Sequence, residues 1–156
     1  MFEGHPLPHE SEQSRKTWLG VLARATAAAI AQHLADAPLL PAYTVLRAPE
    51  TGMAMVRGRI GGNGAAFNLG EMTIVRCSIY DAAGRIGHGY AAGRDLIQVE
   101  LIARLDAVLQ DKALFPAYYQ AVIAPLAAVQ AAARTATQAQ ATATEVKFFT
   151  LAAMRS

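Results

Sequence analysis

Cysteine is almost absent from this chain: Cys77 stands alone, so neither an intrachain disulfide nor a multi-cysteine zinc or iron–sulfur site can be built from its own side chains. That scarcity suits a reducing compartment, and a cytoplasmic protein is expected. Long apolar runs are missing as well. The Ala-rich stretches are broken by Arg, Gln, Asp or Pro well before the roughly 20 residues a membrane helix needs. The first ten residues carry Pro6, Pro8, two His and two Glu without an apolar centre, so no secretory signal is expected there. Charge of either sign is scarce too. Fourteen Lys and Arg against twelve Asp and Glu leave a net charge of +2, with no clustered basic strip of the kind a nucleic-acid surface requires.

Catalytic motifs are equally sparse. His5 and His9 fall in the leading segment, His33 near the end of a helical pattern and His88 between glycines, with no His-Glu-x2-His spacing, so no metal site is expected. No Gly-x-Ser-x-Gly elbow occurs, and Cys77 lies among apolar neighbours in a strand-like run, where an inert buried thiol is expected.

What the sequence does hold is core material. Hydrophobic residues make up 53% of its 156 positions, enough for one folded domain. Residues 1–11 read as a disordered lead-in and residues 12–156 as a single α+β domain. From Ser11 or Ser14, either able to cap, Trp18, Leu22, Ala25, Ala29 and Leu34 form one apolar stripe, ended by Pro38 and Pro41. The middle of the chain turns strand-like. Short β-type runs over 43–47, 53–60, 72–80 and 85–92 are punctuated by a turn at 48–52, a glycine loop at 61–64 and a tight turn at 81–84. Connections this short require an antiparallel sheet, of four to five strands if the β-like run 145–151 returns to it. Helical spacing resumes after Asp95, a plausible N-cap, with Leu96, Val99, Ile102, Leu105 and Leu109. A further helical stretch starts near Leu114, is interrupted at Pro116 and Pro125, and runs Ala-rich to about Thr142. Its small side chains suit close packing on a partner.

Two sets of residues invite a chemical reading. The glycine loop lacks the Lys-Ser/Thr of a phosphate-binding P-loop and is followed by a strand, so Gly61, Gly62 and Gly64 read as hairpin glycines, with an anion-binding nest as the surviving functional version. The arginines are the better candidates. Arg57 and Arg59 share a strand face, Arg76 lies on the next long strand, and Arg94 precedes a helix start. Guanidinium groups pair with phosphate or phosphonate oxygens, although solvation of a sheet face or pairing with Glu50, Glu71 or Asp95 is the more usual state of such arginines. Glu100 lies off the ridge of Asp95, and Asp106 six residues further on offers no converging carboxylate pair. The residues alone thus describe a subunit or binding module, the alternative being a stand-alone phosphate or phosphonate module built on Arg59, Arg76 and Arg94.

Several segments, in one order, resemble the PhnG family of phosphonate C–P lyase subunits. They are Trp18 with its helix, Leu46-Arg47-Ala48-Pro49-Glu50-Thr51-Gly52, Arg57-Gly58-Arg59-Ile60-Gly61-Gly62-Asn63-Gly64 running to Leu69-Gly70-Glu71, Thr73-Ile74-Val75-Arg76, Gly89-Tyr90-Ala91-Ala92-Gly93-Arg94-Asp95, Glu100 to Asp106, Ala124-Pro125-Leu126 and Val146-Lys147-Phe148-Phe149-Thr150. The resemblance implies an accessory subunit of a cytoplasmic assembly. With PhnH-, PhnI- and PhnL-type partners, that assembly displaces adenine from ATP with methylphosphonate to give α-D-ribose 1-methylphosphonate 5-triphosphate. It further implies that the chain carries no cofactor, that the iron–sulfur cluster and S-adenosylmethionine belong to the PhnJ-type subunit, and that a homodimer could form in isolation. Arg59, Arg76 and Arg94 match the family, which also accepts a neutral residue at position 57. Gln98 stands where the family would have histidine.

Overall fold

The computed structural model describes residues 8–61 and 63–144. Helix α1 (Pro8–Ala23) and the shorter α2 (Ala27–Leu34) come first. Three strands follow, β1 (Tyr43–Arg59), β2 (Ala66–Asp81) and β3 (Ile86–Ala92), and then helix α3 (Leu96–Leu109). The chain continues through one turn of α4 (Phe115–Tyr118), a π-helical turn at Tyr119–Ile123 and the long α5 (Ala124–Ala143). The strands form one antiparallel sheet in the order β1-β2-β3, so the α+β class and the antiparallel arrangement are as the turn spacing required.

Three expectations need correction. The strand count among the described residues is three, because the runs 43–47 and 53–60 are one strand. Pro49 cannot donate to a ladder, but β1 is an edge strand, and register shifts between Val45 and Arg47 and between Arg47 and Glu50 absorb it as bulges instead of a turn. The run 145–151 lies outside the described residues. The N-terminal stripe is two helices, not one. Thr26 leaves helical geometry (φ −75°, ψ 156°) and its hydroxyl accepts from the Ala29 N–H, starting α2 afresh. Last, Pro116 sits in the first turn of α4, where a missing N–H goes unnoticed, and so begins a helix instead of interrupting one; at Pro125 the chain stays helical, but the α pattern is interrupted just before it by the π-helical turn Tyr119–Ile123.

Burial follows the strand period. On β2, Val75, Cys77, Ile79 and Asp81 point to one side and are buried, while Ile74, Arg76, Ser78 and Tyr80 point to the other. The buried side receives α3, whose Val99, Ile102, Leu105 and Val108 meet Trp18 and Leu22 of α1, Ile30 of α2, and Tyr118, Val122 and Ile123 of the π region in one cluster. β3 presents Gly87, Gly89 and Ala91 to α3. A Cβ at Gly87 would fall 1.9 Å from the Ala103 carbonyl oxygen and one at Gly89 2.1 Å from that of Val99, so bare backbone is what lets the helix rest directly on the strand.

Among the described residues no helix covers the opposite face of the sheet. Tyr80, Ile86 and Tyr90 are exposed on it, Tyr90 to 51%. β3 reaches only as far as Ile74 on β2, so the pairs from Met53↔Thr73 to Arg59↔Ala66 extend beyond the helical layer as a two-stranded arm. Met53, Met55 and Leu69 on that arm are each more than half exposed.

Candidate functional site

The arginines proposed from the sequence all lie on or next to the sheet, but the structure does not gather them. Arg76 projects from the bare face, where in-register pairing sets it opposite Glu50 on β1 and Tyr90 on β3. Its Nε donates to Glu50 Oε1 at 2.7 Å, and Arg47 Nε lies 3.6 Å from the same oxygen. The hydrogen bond that Arg76 gives to Glu50, with that carboxylate's charge, raises the Arg76 pKa above its ordinary value. Arg59 closes the arm's turn, its Nη1 donating to the Gly64 carbonyl at 3.3 Å. Its ladder partner Ala66 is ten residues along β2 from Arg76, which separates the two arginines by roughly 33 Å. Arg94 follows β3, anchored nearby by Gly93 N–H donating to the Thr73 carbonyl at 3.0 Å, and forms no hydrogen bond or ion pair among the described residues. Arg57, two residues before Arg59 on β1, is likewise exposed.

The residues marked as structural take up such positions. Gly61 has φ +61°, and a Cβ at Gly64 would meet the Ile60 carbonyl oxygen at 2.6 Å, so this loop is a hairpin turn with two glycine-dependent positions; Gly62 lies outside the described residues. Asp95 caps α3, with Oδ1 accepting from the Ile97 and Gln98 N–H groups at 3.0 Å each. Glu100 accepts from the Tyr43 hydroxyl, and that hydrogen bond raises the Tyr43 pKa. One turn on, the Arg104 guanidinium covers the Tyr43 ring at 4.5 Å. Gln98 turns inward, its Nε2 donating to the carbonyls of Ala25 at 2.6 Å and Ala23 at 3.4 Å, and so ties the end of α1 to α3.

Sequence spacing passed over the most heavily bonded side chain. Asp106 is fully buried, and its carboxylate accepts from Arg15 Nε (3.0 Å) and Nη2 (2.6 Å), Trp18 Nε1 (3.0 Å) and the His88 N–H (2.9 Å). One carboxylate therefore clamps α1, α3 and β3 together, and the pairing raises the Arg15 pKa. The available signal was an acid inside the apolar stripe of α3, together with Arg15 and Trp18 three apart on α1. Asp81 is a second such case. Burial pushes its pKa up, but Arg85 Nε at 2.7 Å and the N–H groups of Ala83 and Arg85 outweigh burial and hold it below the usual value. His88 Nδ1 lies 2.8 Å from Ser78 Oγ on the bare face, within strand β3. Cys77 is completely buried, and desolvation pushes its thiol up to about 11. No cluster of three or more His, Cys, Asp or Glu suited to a metal ion occurs among the described residues. Among them, too, no helix is long and apolar enough to cross a membrane.

This arrangement offers Arg76 on a sheet face that no described helix covers and a clamped helical layer behind it, and comparison with known proteins gives it a family. The family model described as "Phosphonate metabolism protein PhnG" matches residues 13–154. The chain is also similar to the "Alpha-D-ribose 1-methylphosphonate 5-triphosphate synthase subunit PhnG" of Rhizobium meliloti (strain 1021), with 36% identity over 137 residues covering 88% of this chain and 87% of that one. A match running from α1 past α5 takes in the clamp, the arm and the bare face together, and the chain belongs to the PhnG family of phosphonate metabolism proteins.

Proposed function

We propose that this chain is a subunit of a cytoplasmic α-D-ribose 1-methylphosphonate 5-triphosphate synthase and works in phosphonate catabolism as part of the C–P lyase core complex. In that assembly adenine leaves ribose C1 of ATP as methylphosphonate takes its place. The chain's part is accessory: it builds the complex and supplies cations to it, Arg76 on the bare sheet face, Arg94 just past β3 and Arg59 at the tip of the arm. The PhnI-type subunit is the first partner, with PhnH-, PhnJ- and PhnL-type subunits beyond it; the iron–sulfur cluster and S-adenosylmethionine of the later C–P cleavage belong to another subunit.

The observation that carries this reading is the uncovered sheet face with its projecting arm. Domains bury sheet faces in layers, and a three-stranded sheet that the described helices cover on one side only, with Tyr90 more than half exposed on its bare face and Met53, Met55 and Leu69 likewise on the arm, is shaped for a neighbour. Adenine release from ATP and methylphosphonate is the test. The purified chain alone should release none, and the complex co-purified with the PhnI-type subunit should release it. Release by the isolated chain would overturn the accessory role, and failure to co-purify would overturn the assembly. Arg59→Ala and Arg94→Ala in the active complex then ask whether these cations matter; full activity in both would reduce them to surface charge.

A further inference from the structure

On the side of the molecule away from the bare sheet, between α1 and the connection from α3 to α4, lies a cleft of about 510 Å³ lined by Arg15, Trp18, Leu109, Gln110, Lys112 and Phe115. We propose that this cleft is a nucleotide-binding pocket, its aromatic wall taking the base and Lys112 the phosphates. The volume lies within the range of small-molecule sites. The wall is already in place: the half-buried Phe115 ring presents the open aromatic surface, backed at 5.8 Å and a 56° tilt by Trp18, itself only 5% exposed, and at 5.1 Å by the stacked Tyr119. Trp18 cannot swing away, because its Nε1 is held by Asp106.

The polar lining is of one kind of use. Lys112 is exposed and makes no hydrogen bond or ion pair among the described residues. Arg15 gives Nε and Nη2 to Asp106, which leaves Nη1 for a ligand. Gln110 spends its Nε2 on the carbonyls of Ile86 and Asp106, so its Oε1 remains as an acceptor suited to the exocyclic amine of a base. Among the described residues no carboxylate lines the cleft, and the one beneath it, Asp106, is neutralised by its own donors. An apolar slot, a fixed acceptor and two cations at its edge together match an aromatic base that carries phosphate. The proposed function enters only in the choice of ATP as the probe.

Trp18 is the only tryptophan, so its emission reads this cleft directly. ATP titrated into the full chain, followed by Trp18 emission and by calorimetry, should give a saturable change. Adenosine and tripolyphosphate, each offering half of the ligand, should bind more weakly. Lys112→Glu should weaken ATP binding by roughly tenfold, the loss of one charge-assisted contact, while Lys112→Arg should keep it. No saturable change up to the millimolar range, equal affinity in Lys112→Glu, or tripolyphosphate binding as tightly as ATP would each overturn the proposal. The outcome separates from that of the proposed function. A complex that releases adenine although the isolated chain ignores ATP removes the pocket alone; Lys112-dependent binding in a complex that releases none removes the function alone.

Discussion

Alanine at Gly87 should cost the fold about 2–4 kcal/mol, although propensity alone predicts a gain. A Cβ there would stand 1.9 Å from the Ala103 carbonyl oxygen and 2.8 Å from the Ala107 nitrogen, both backbone atoms of α3 that no rotamer change can move aside. Restoring ordinary contact requires α3 to retreat from β3 by more than about 1 Å, and a gap of that size forfeits a quarter to a half of each dispersion contact it opens. The side chains that would lose contact are Val99, Ile102 and Leu105, all fully buried. Overpacking of this kind costs about 1–3 kcal/mol, and the loosened lining brings the loss to about 3–5 kcal/mol. Against it stands the roughly 0.4–1 kcal/mol gained when a glycine is removed from the unfolded chain. Gly70 supplies the control: it too lies in a strand, but a Cβ there meets nothing within 4 Å, so Gly70→Ala should be neutral or slightly stabilising. Urea unfolding followed by Trp18 emission and circular dichroism measures both. Midpoints for Gly87→Ala at or above wild type, or shifts of the same sign in the two variants, would refute the account of how α3 meets β3.

Three further outcomes follow from the buried groups. Asp106→Asn turns an acceptor of four hydrogen bonds into a group that opposes at least one donor and leaves Arg15 unpaired, so thermal unfolding should show a loss of about 3–5 kcal/mol; under 1 kcal/mol would mean the clamp is not formed. Cys77, with its thiol pushed up to about 11, should resist aromatic disulfide reagents at pH 8 in the native protein and react fully once unfolded; because its folded pKa is raised above the ordinary 9.0, its contribution to stability is complete below that value and is lost as pH climbs towards 11. Asp81 works in the other direction. Its folded pKa lies below the ordinary 3.8, so its contribution is present above that value and disappears as pH falls through the folded one, and Asp81→Asn should flatten the acid limb of a stability-against-pH curve.

Periodicity and punctuation in the sequence were enough for α3, its Asp95 cap, the antiparallel pairing and the glycine hairpin, because each of these is decided by residues close together in the chain. What escaped reading depends on distant partners. Pro49 looked like a turn, yet an edge strand with bulges accommodates it, and being an edge is a property of the assembled sheet. That error hid the length of β1 and with it the separation of Arg59 from Arg76, which follows from hairpin register alone. Asp106 seemed idle since its partners Arg15 and Trp18 lie 91 and 88 residues away. Gln98 gives the same lesson: its amide reads as a substitution in a motif, but what it does is hold the end of α1 across 73 residues.

The arm also bears on when, in time, the molecule is ordered. Residues 74–80 of β2 are flanked by strands on both sides and roofed by α3, whereas among the described residues the pairs from Met53 to Arg59 have a single ladder and no roof. Amide protons on the arm should therefore exchange with solvent through small local openings, far faster than those of Val75, Cys77 and Ile79, which await near-global unfolding. A neighbour that seats itself on the arm would suppress those openings and slow that exchange, so deuterium uptake by this one hairpin registers, residue by residue, how far along the chain is in joining its complex.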